Sequence, residues 1–172
     1  MMPSSLFFPN KYFIELGCFD GEGVQRALDE KCFERIYAIE PIHRFYNRCC
    51  DRFTHHSCVM ILEGEPLNVL PGLLNKIEAP ATFWLDGHYS AIANIENKAQ
   101  IPIIKELDAI QHHNIKTHTI LVDHVRLFGS VDFDYIALED ILQKIQMINP
   151  QYKISYLDGY LHNDVLLVQI PK

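Results

Sequence analysis

The sequence predicts a doubly wound α/β fold: seven strands in a mostly parallel sheet, helices on both faces, and an antiparallel C-terminal hairpin. Three observations carry this. Short apolar runs alternate with helical patterns along most of the chain. The first run opens into a glycine-rich turn, and the second ends in an acid, Glu40. The last two apolar runs have no helix between them.

The first apolar strand begins at Tyr12 and runs into an acidic residue, Glu15, and three closely spaced glycines, Gly17, Gly21 and Gly23. Glycine lets a strand-to-helix turn bend tightly and lets a ligand approach the backbone. The helical run Val24 to Leu28 follows, presenting N–H groups at its start that suit a polar or anionic ligand. The second strand, Ile36 to Ile39, ends at Glu40. Phe45, Cys49 and Phe53 recur along one face of the next helix. Val59 to Leu62 is the third strand, ending at Glu63-Gly64-Glu65. Asn68 is expected to cap a helix bearing Leu70, Leu73, Leu74 and Ile77, with Pro71 in its first turn. Ala81 to Leu85 is the fourth strand and stops at Asp86; Phe83 and Trp84 within it read as core. Pro102 opens a helix with Ile103, Ile104, Leu107 and Ile110 buried. The fifth strand, His118 to Val122, stops at Asp123. Asp134 is expected to cap a helix bearing Leu138, Ile141, Leu142, Ile145 and Ile148, stopped by Asn149-Pro150. Tyr152 to Leu157 and Val165 to Ile170 then pair as a hairpin.

The 172 residues fit one domain, and 48% hydrophobic with 22% charged content supports a packed core. A net charge of −7 without a basic cluster argues against nucleic acid as a partner. No signal-peptide pattern opens the chain, and no apolar run is long enough to span a membrane, so a soluble, cytoplasmic protein is expected. The five cysteines, Cys18, Cys32, Cys49, Cys50 and Cys58, are odd in number and lack zinc or disulfide-framework spacing. They read as small buried hydrophobes, with Cys18 in the glycine loop the one candidate for a reactive thiol. The pairs His55-His56 and His112-His113 read as surface residues.

Glu15, Gly17 and Gly21 give E-x-G-x-x-x-G, not the G-x-G-x-x-G of nicotinamide dinucleotide binders. With Glu40 this resembles the first motif and ribose acid of the class I S-adenosylmethionine-dependent methyltransferases. The terminal hairpin extends the resemblance from about Tyr12 to Ile170: in that Rossmann-like family the seventh strand inserts antiparallel. The resemblance implies that Glu15, Gly17, Cys18, Gly21 and Gly23 cradle the methionine part of S-adenosylmethionine. It also implies that Glu40 takes the ribose hydroxyls. After the third strand, Glu63 or Glu65 meets the adenine amine, and Glu65 fits the family position better.

Asp86, His88, Asp123, His124 and Arg126 follow the fourth and fifth strands, whose ends should lie side by side. Asp86-Gly87-His88-Tyr89-Ser90 is similar to the metal-dependent O-methyltransferases, especially the macrocin type that methylates sugars. Carried over, Asp86, Asp123 and His124 hold Mg2+ or Mn2+, with His124 replacing the family's oxygen ligand. Asp86 lies where cofactor, metal and acceptor meet. His88 is either the base for the acceptor oxygen or a residue orienting Asp86. Arg126 either pairs an acidic acceptor or neutralises Asp123. The polar stretch Ala91 to Gln100 is a lid or a plain connection.

The implied function is methylation of an oxygen on a small-molecule acceptor or sugar. The competing reading is a non-catalytic, methyltransferase-like binding or regulatory subunit. The chain is close to the minimum for this fold, so long loops or the partner of a homodimer are expected to complete the acceptor surface.

Overall fold

The computed structural model describes residues 10–86 and 101–171. Strands and helices run in the order β1 (Tyr12–Leu16), α1 (Glu22–Glu30), β2 (Arg35–Glu40), α2 (His43–Phe53), β3 (Val59–Glu63), α3 (Pro66–Leu74) and β4 (Ala81–Leu85). They continue as α4 (Ile103–His112), β5 (Thr119–Val122), α5 (Leu138–Ile148), β6 (Lys153–Leu157) and β7 (Val165–Gln169). Two single 3-10 turns, Val125–Leu127 and Val131–Phe133, lie between β5 and α5.

The seven strands form one sheet in the order β3-β2-β1-β4-β5-β7-β6. The first five pair in parallel, while β7 runs antiparallel to both neighbours. The expected doubly wound sheet with its C-terminal hairpin is thus the observed one. Strand alternation divides β1 between two cores. Tyr12, Ile14 and Leu16 enter the larger core with α3, α4 and α5, whereas Phe13 joins Val24, Ala27, Cys49 and Phe53 of α1 and α2. Both faces of the sheet are therefore covered, and β1, β4 and β5 are buried throughout. Phe83 and Trp84 are core residues, as read from sequence.

Three helix-boundary expectations are corrected. Glu65, not Asn68, precedes α3, because Pro66 at the first helical position has no N–H to satisfy and has its φ already set. Pro71 consequently falls inside α3 rather than in its first turn. Asp134 does not cap α5. It sits in the left-handed region at φ 50°, closing the preceding 3-10 turn, and its Oδ2 accepts the Ile101 N–H at 2.6 Å. Ala137 opens α5, and its N–H is met by Asp140 Oδ2 at 3.3 Å.

The topology gathers the chemistry at one edge. Parallel β1, β2, β3, β4 and β5 all end there, and antiparallel β7 begins there. A doubly wound sheet places its ligands at this carboxyl edge, where the strand order reverses.

Candidate functional site at the carboxyl edge of the sheet

The glycine loop between β1 and α1 turns on three residues of positive φ: Gly17 at 82°, Phe19 at 48° and Gly21 at 82°. Glycine costs nothing there, whereas phenylalanine is uncommon in this region. Phe19 is held by three contacts. Its N–H donates to Glu40 Oε2 at 2.8 Å, its carbonyl accepts from Cys49 Sγ at 3.2 Å, and its ring lies against Phe45 with centroids 4.0 Å apart. From α2, Arg48 pairs with Asp20, and Arg52 reaches the Asp20 carbonyl at 2.7 Å and Glu22 at 2.9 Å. Helix α2 therefore clamps the loop, which spacing in the sequence did not announce.

Glu40 is buried at the tip of β2. Its Oε1 accepts the Ile42 N–H at 2.9 Å, while Oε2 takes Phe19. A third backbone donor, the Cys18 N–H, also reaches this carboxylate, so a diol must share its roughly four lone-pair sites with the loop. Burial raises its pKa, opposed by these backbone hydrogen bonds.

Glu15 is 4% exposed and points from β1 toward the start of α1. Its Oε2 is buried and has no hydrogen-bond partner among the described residues. Burial first, then the charges of Asp86, Cys49 and Glu40, pushes its carboxyl well above the usual range. Gly23 leaves the room this side chain occupies.

At the neighbouring strand tips, Asp86, Asp123 and His124 converge with ligand atoms within 4.8 Å of one another. His124 Nδ1 is 3.3 Å from Asp86 Oδ1 and 3.6 Å from Asp123 Oδ2. The His124 N–H donates to Asp123 Oδ1 at 2.7 Å. Burial and Asp86 raise the Asp123 carboxyl, against the opposing pull of His124. His124 occupies the left-handed region at φ 64°, where the chain turns sharply out of β5. Two carboxylates and an imidazole form a donor set for a divalent cation. Among the described residues this is the one such group of three.

Other sequence expectations fall elsewhere. Arg126 pairs with buried Asp164 rather than Asp123, and Asp164 Oδ1 also accepts the Arg126 N–H at 3.2 Å. Asp164 was missed because nothing local marks a hairpin-turn aspartate as the partner of a residue on β5's loop. Glu63 binds His43 Nδ1 at 2.6 Å, which leaves exposed Glu65 as the other acid beyond β3, near enough to Glu40 to raise its pKa further. The His113 ring stacks on His118 rather than standing apart on the surface. His88 and the stretch Ala91 to Gln100 lie outside the described residues.

No protein-family model matches the chain, and no curated protein matches it. Solved structures do. The O-methyltransferase TomG of Streptomyces achromogenes, involved in tomaymycin synthesis and solved in complex with SAM, aligns with TM-score 0.63 and 14% identity over 95% of this chain and 74% of its own. An O-methyltransferase of Bacillus cereus in complex with SAH gives 0.65 and 12% over 95% of this chain and 75% of its own. The N-methyltransferase NodS of Bradyrhizobium japonicum gives 0.56 and 12% over 95% and 87%. The chain thus has the Rossmann-like methyltransferase fold, and that fold serves acceptors of more than one kind.

Proposed function

We propose that this chain is an S-adenosylmethionine-dependent methyltransferase that methylates an oxygen of a small-molecule acceptor, with a divalent metal at Asp86, Asp123 and His124. One observation carries the reading: the buried, unpartnered Oε2 of Glu15 and the two-oxygen edge of Glu40 flank one glycine loop, beside the metal-type donor set. The cofactor fits this donor chemistry. Its ammonium and two ribose hydroxyls are donors, and Glu15 and Glu40 are acceptors. Its net positive charge offsets carboxylates that raise one another's pKa at this edge.

Bound here, S-adenosylmethionine supplies a methyl group on a positively charged sulfur. The protein's own contribution is orientation and exclusion of competing geometries. Glu40 would hold the ribose; Gly17, Cys18, Gly21 and Gly23 would let the backbone approach; Glu65 would meet the adenine edge. Asp86, Asp123 and His124 would hold the metal, which would supply Lewis acidity toward the acceptor oxygen. His88, next but one to Asp86 in sequence, is the base assigned to the acceptor proton.

Calorimetry with S-adenosylhomocysteine, with and without Mg2+ or Mn2+, tests the reading. Micromolar binding supports it. Absence of binding under both conditions means a methyltransferase-like fold without this cofactor. Glu40→Gln serves as the site control: it keeps one acceptor oxygen for the loop yet should weaken binding by about tenfold or more, the scale of one lost charge-assisted hydrogen bond.

A further inference from the structure

Two thiols meet beneath the glycine loop. Cys18 Sγ donates to Cys49 Sγ at 3.6 Å, although the residues are 31 positions apart. Cys18 is 3% exposed and Cys49 fully buried, while Cys32, Cys50 and Cys58 are only partly buried. A disulfide has an S–S distance of about 2.05 Å, so bonding requires the sulfurs to close by about 1.5 Å. Arg48 and Arg52 already hold the loop against α2.

We propose that Cys18 and Cys49 are an oxidation site for hydrogen peroxide or another small hydroperoxide, forming a disulfide that pins the glycine loop to α2 and weakens cofactor binding. The effect on binding rests on the cofactor reading given above; the disulfide does not. Cys49 is the attacking sulfur. The hydrogen bond it accepts from Cys18 and the charge of Arg52 favour its thiolate against burial and the charges of Glu40 and Asp20, and the thiolate forgoes its bond to the Phe19 carbonyl; the same Cys18 bond and burial hold Cys18 as the thiol. The Cys49 sulfur attacks one peroxide oxygen, the O–O bond breaks, and water leaves, giving a sulfenic acid. Cys18 Sγ then attacks that sulfur, the S–S bond forms, the S–O bond breaks, and a second water leaves. Two electrons pass from the thiols to the peroxide, and both thiol protons end in water. Burial of both sulfurs disfavours larger oxidants such as glutathione disulfide.

The consequence follows from Glu40. Its Oε2 accepts the Phe19 N–H, and the Cys18 N–H also bonds to this carboxylate. A ribose diol must share these oxygens, so residues 18–19 have to yield as the cofactor enters. A covalent tie to α2 through Cys18 opposes that yielding.

The test treats the full chain with hydrogen peroxide, maps disulfides by peptide mass spectrometry, and measures S-adenosylhomocysteine affinity before oxidation, after it, and after dithiothreitol. A Cys18–Cys49 link, an affinity loss of about tenfold within the ordinary range of site coupling, and recovery on reduction are expected. Cys49→Ala should abolish both responses, and Cys18→Ala serves if that variant does not fold. A link to a different cysteine, no link, or a link with unchanged affinity overturns the proposal. If the reduced protein binds no S-adenosylhomocysteine, the cofactor reading fails by itself. The thiol pair is then judged by the mapped link and by the thermal midpoint, which the link should raise and dithiothreitol restore; an unmoved midpoint refutes it.

Discussion

Glu15 fills the space that a side chain on Gly23 would need. An alanine methyl there would stand 2.6 Å from Glu15 Cδ and 2.7 Å from Oε2, with Oε1 closer still. Glycine early in α1 is thus demanded by a strand residue, not by its own backbone. Within a helix, Gly→Ala ordinarily gains about 0.5–1 kcal/mol. Here the buried carboxyl must be displaced, and overpacking typically costs about 1–3 kcal/mol. Gly23→Ala should therefore destabilise in urea denaturation, and the same change in a Glu15→Ala background should be neutral or stabilising. Additive effects in that double-mutant cycle would show that the contact is not the cause.

The raised Glu15 carboxyl makes binding of a cation proton-linked. Its folded pKa lies above its unfolded value, so it favours the folded state most at low pH, and that contribution is lost as pH rises above the ordinary value of 4.5. A positively charged ligand beside it lowers the pKa again and expels a proton. Cofactor binding measured in buffers of different ionisation enthalpy should report proton release, up to one per site. Glu15→Gln should abolish the buffer dependence and be increasingly more stable than the parent as pH rises. Buffer-independent enthalpy in the parent would sink this assignment.

Metal preference follows from His124. An imidazole nitrogen favours Mn2+, Fe2+ or Zn2+ over Mg2+, whereas carboxylates alone favour the hard cations. Mn2+ should raise the thermal midpoint more than Mg2+ at equal concentration, and its electron paramagnetic resonance signal should broaden on binding. His124→Asn should move the preference toward Mg2+. Asparagine tolerates the left-handed φ of 64° at this position, so the fold should survive the change. Asp86→Asn should remove the metal-induced stabilisation; if it persists, the ligands lie elsewhere.

Acid sensitivity is expected from His118. Its Nδ1 accepts the Ala81 N–H at 3.0 Å, and its Nε2 lies 2.8 Å from His113 Nδ1. A proton on Nδ1 would face another N–H. Burial above all, then His113 and Lys116, pushes its pKa from 6.5 down to about 3. Between those values the unfolded chain binds the proton and the folded one does not, so stability falls with acidification by up to about 1.4 kcal/mol per pH unit. His118→Gln should flatten the fall in stability between pH 6.5 and 3. An unchanged slope would assign acid sensitivity to other groups.

The local code of the chain was enough for the sheet and for the addresses of its chemistry. Strand alternation, helical period and terminal glycines or acids are properties of neighbouring residues, so β4 (Ala81–Leu85) was legible to the residue, and so were Glu40, Asp86 and Asp123 as strand tips. Helix starts were less legible, because Asn68 and Asp134 carry capping side chains while Pro66 and a turn at Val131–Phe133 set the actual boundaries. What only the tertiary structure decided was pairing at long range. Cys18 with Cys49, Arg126 with Asp164, and Glu15 against Gly23 depend on the sheet order β3-β2-β1-β4-β5-β7-β6 and on which face each helix covers. A residue's type and local spacing limit what it can bind, but the side chain it meets is fixed only when distant strands settle into register.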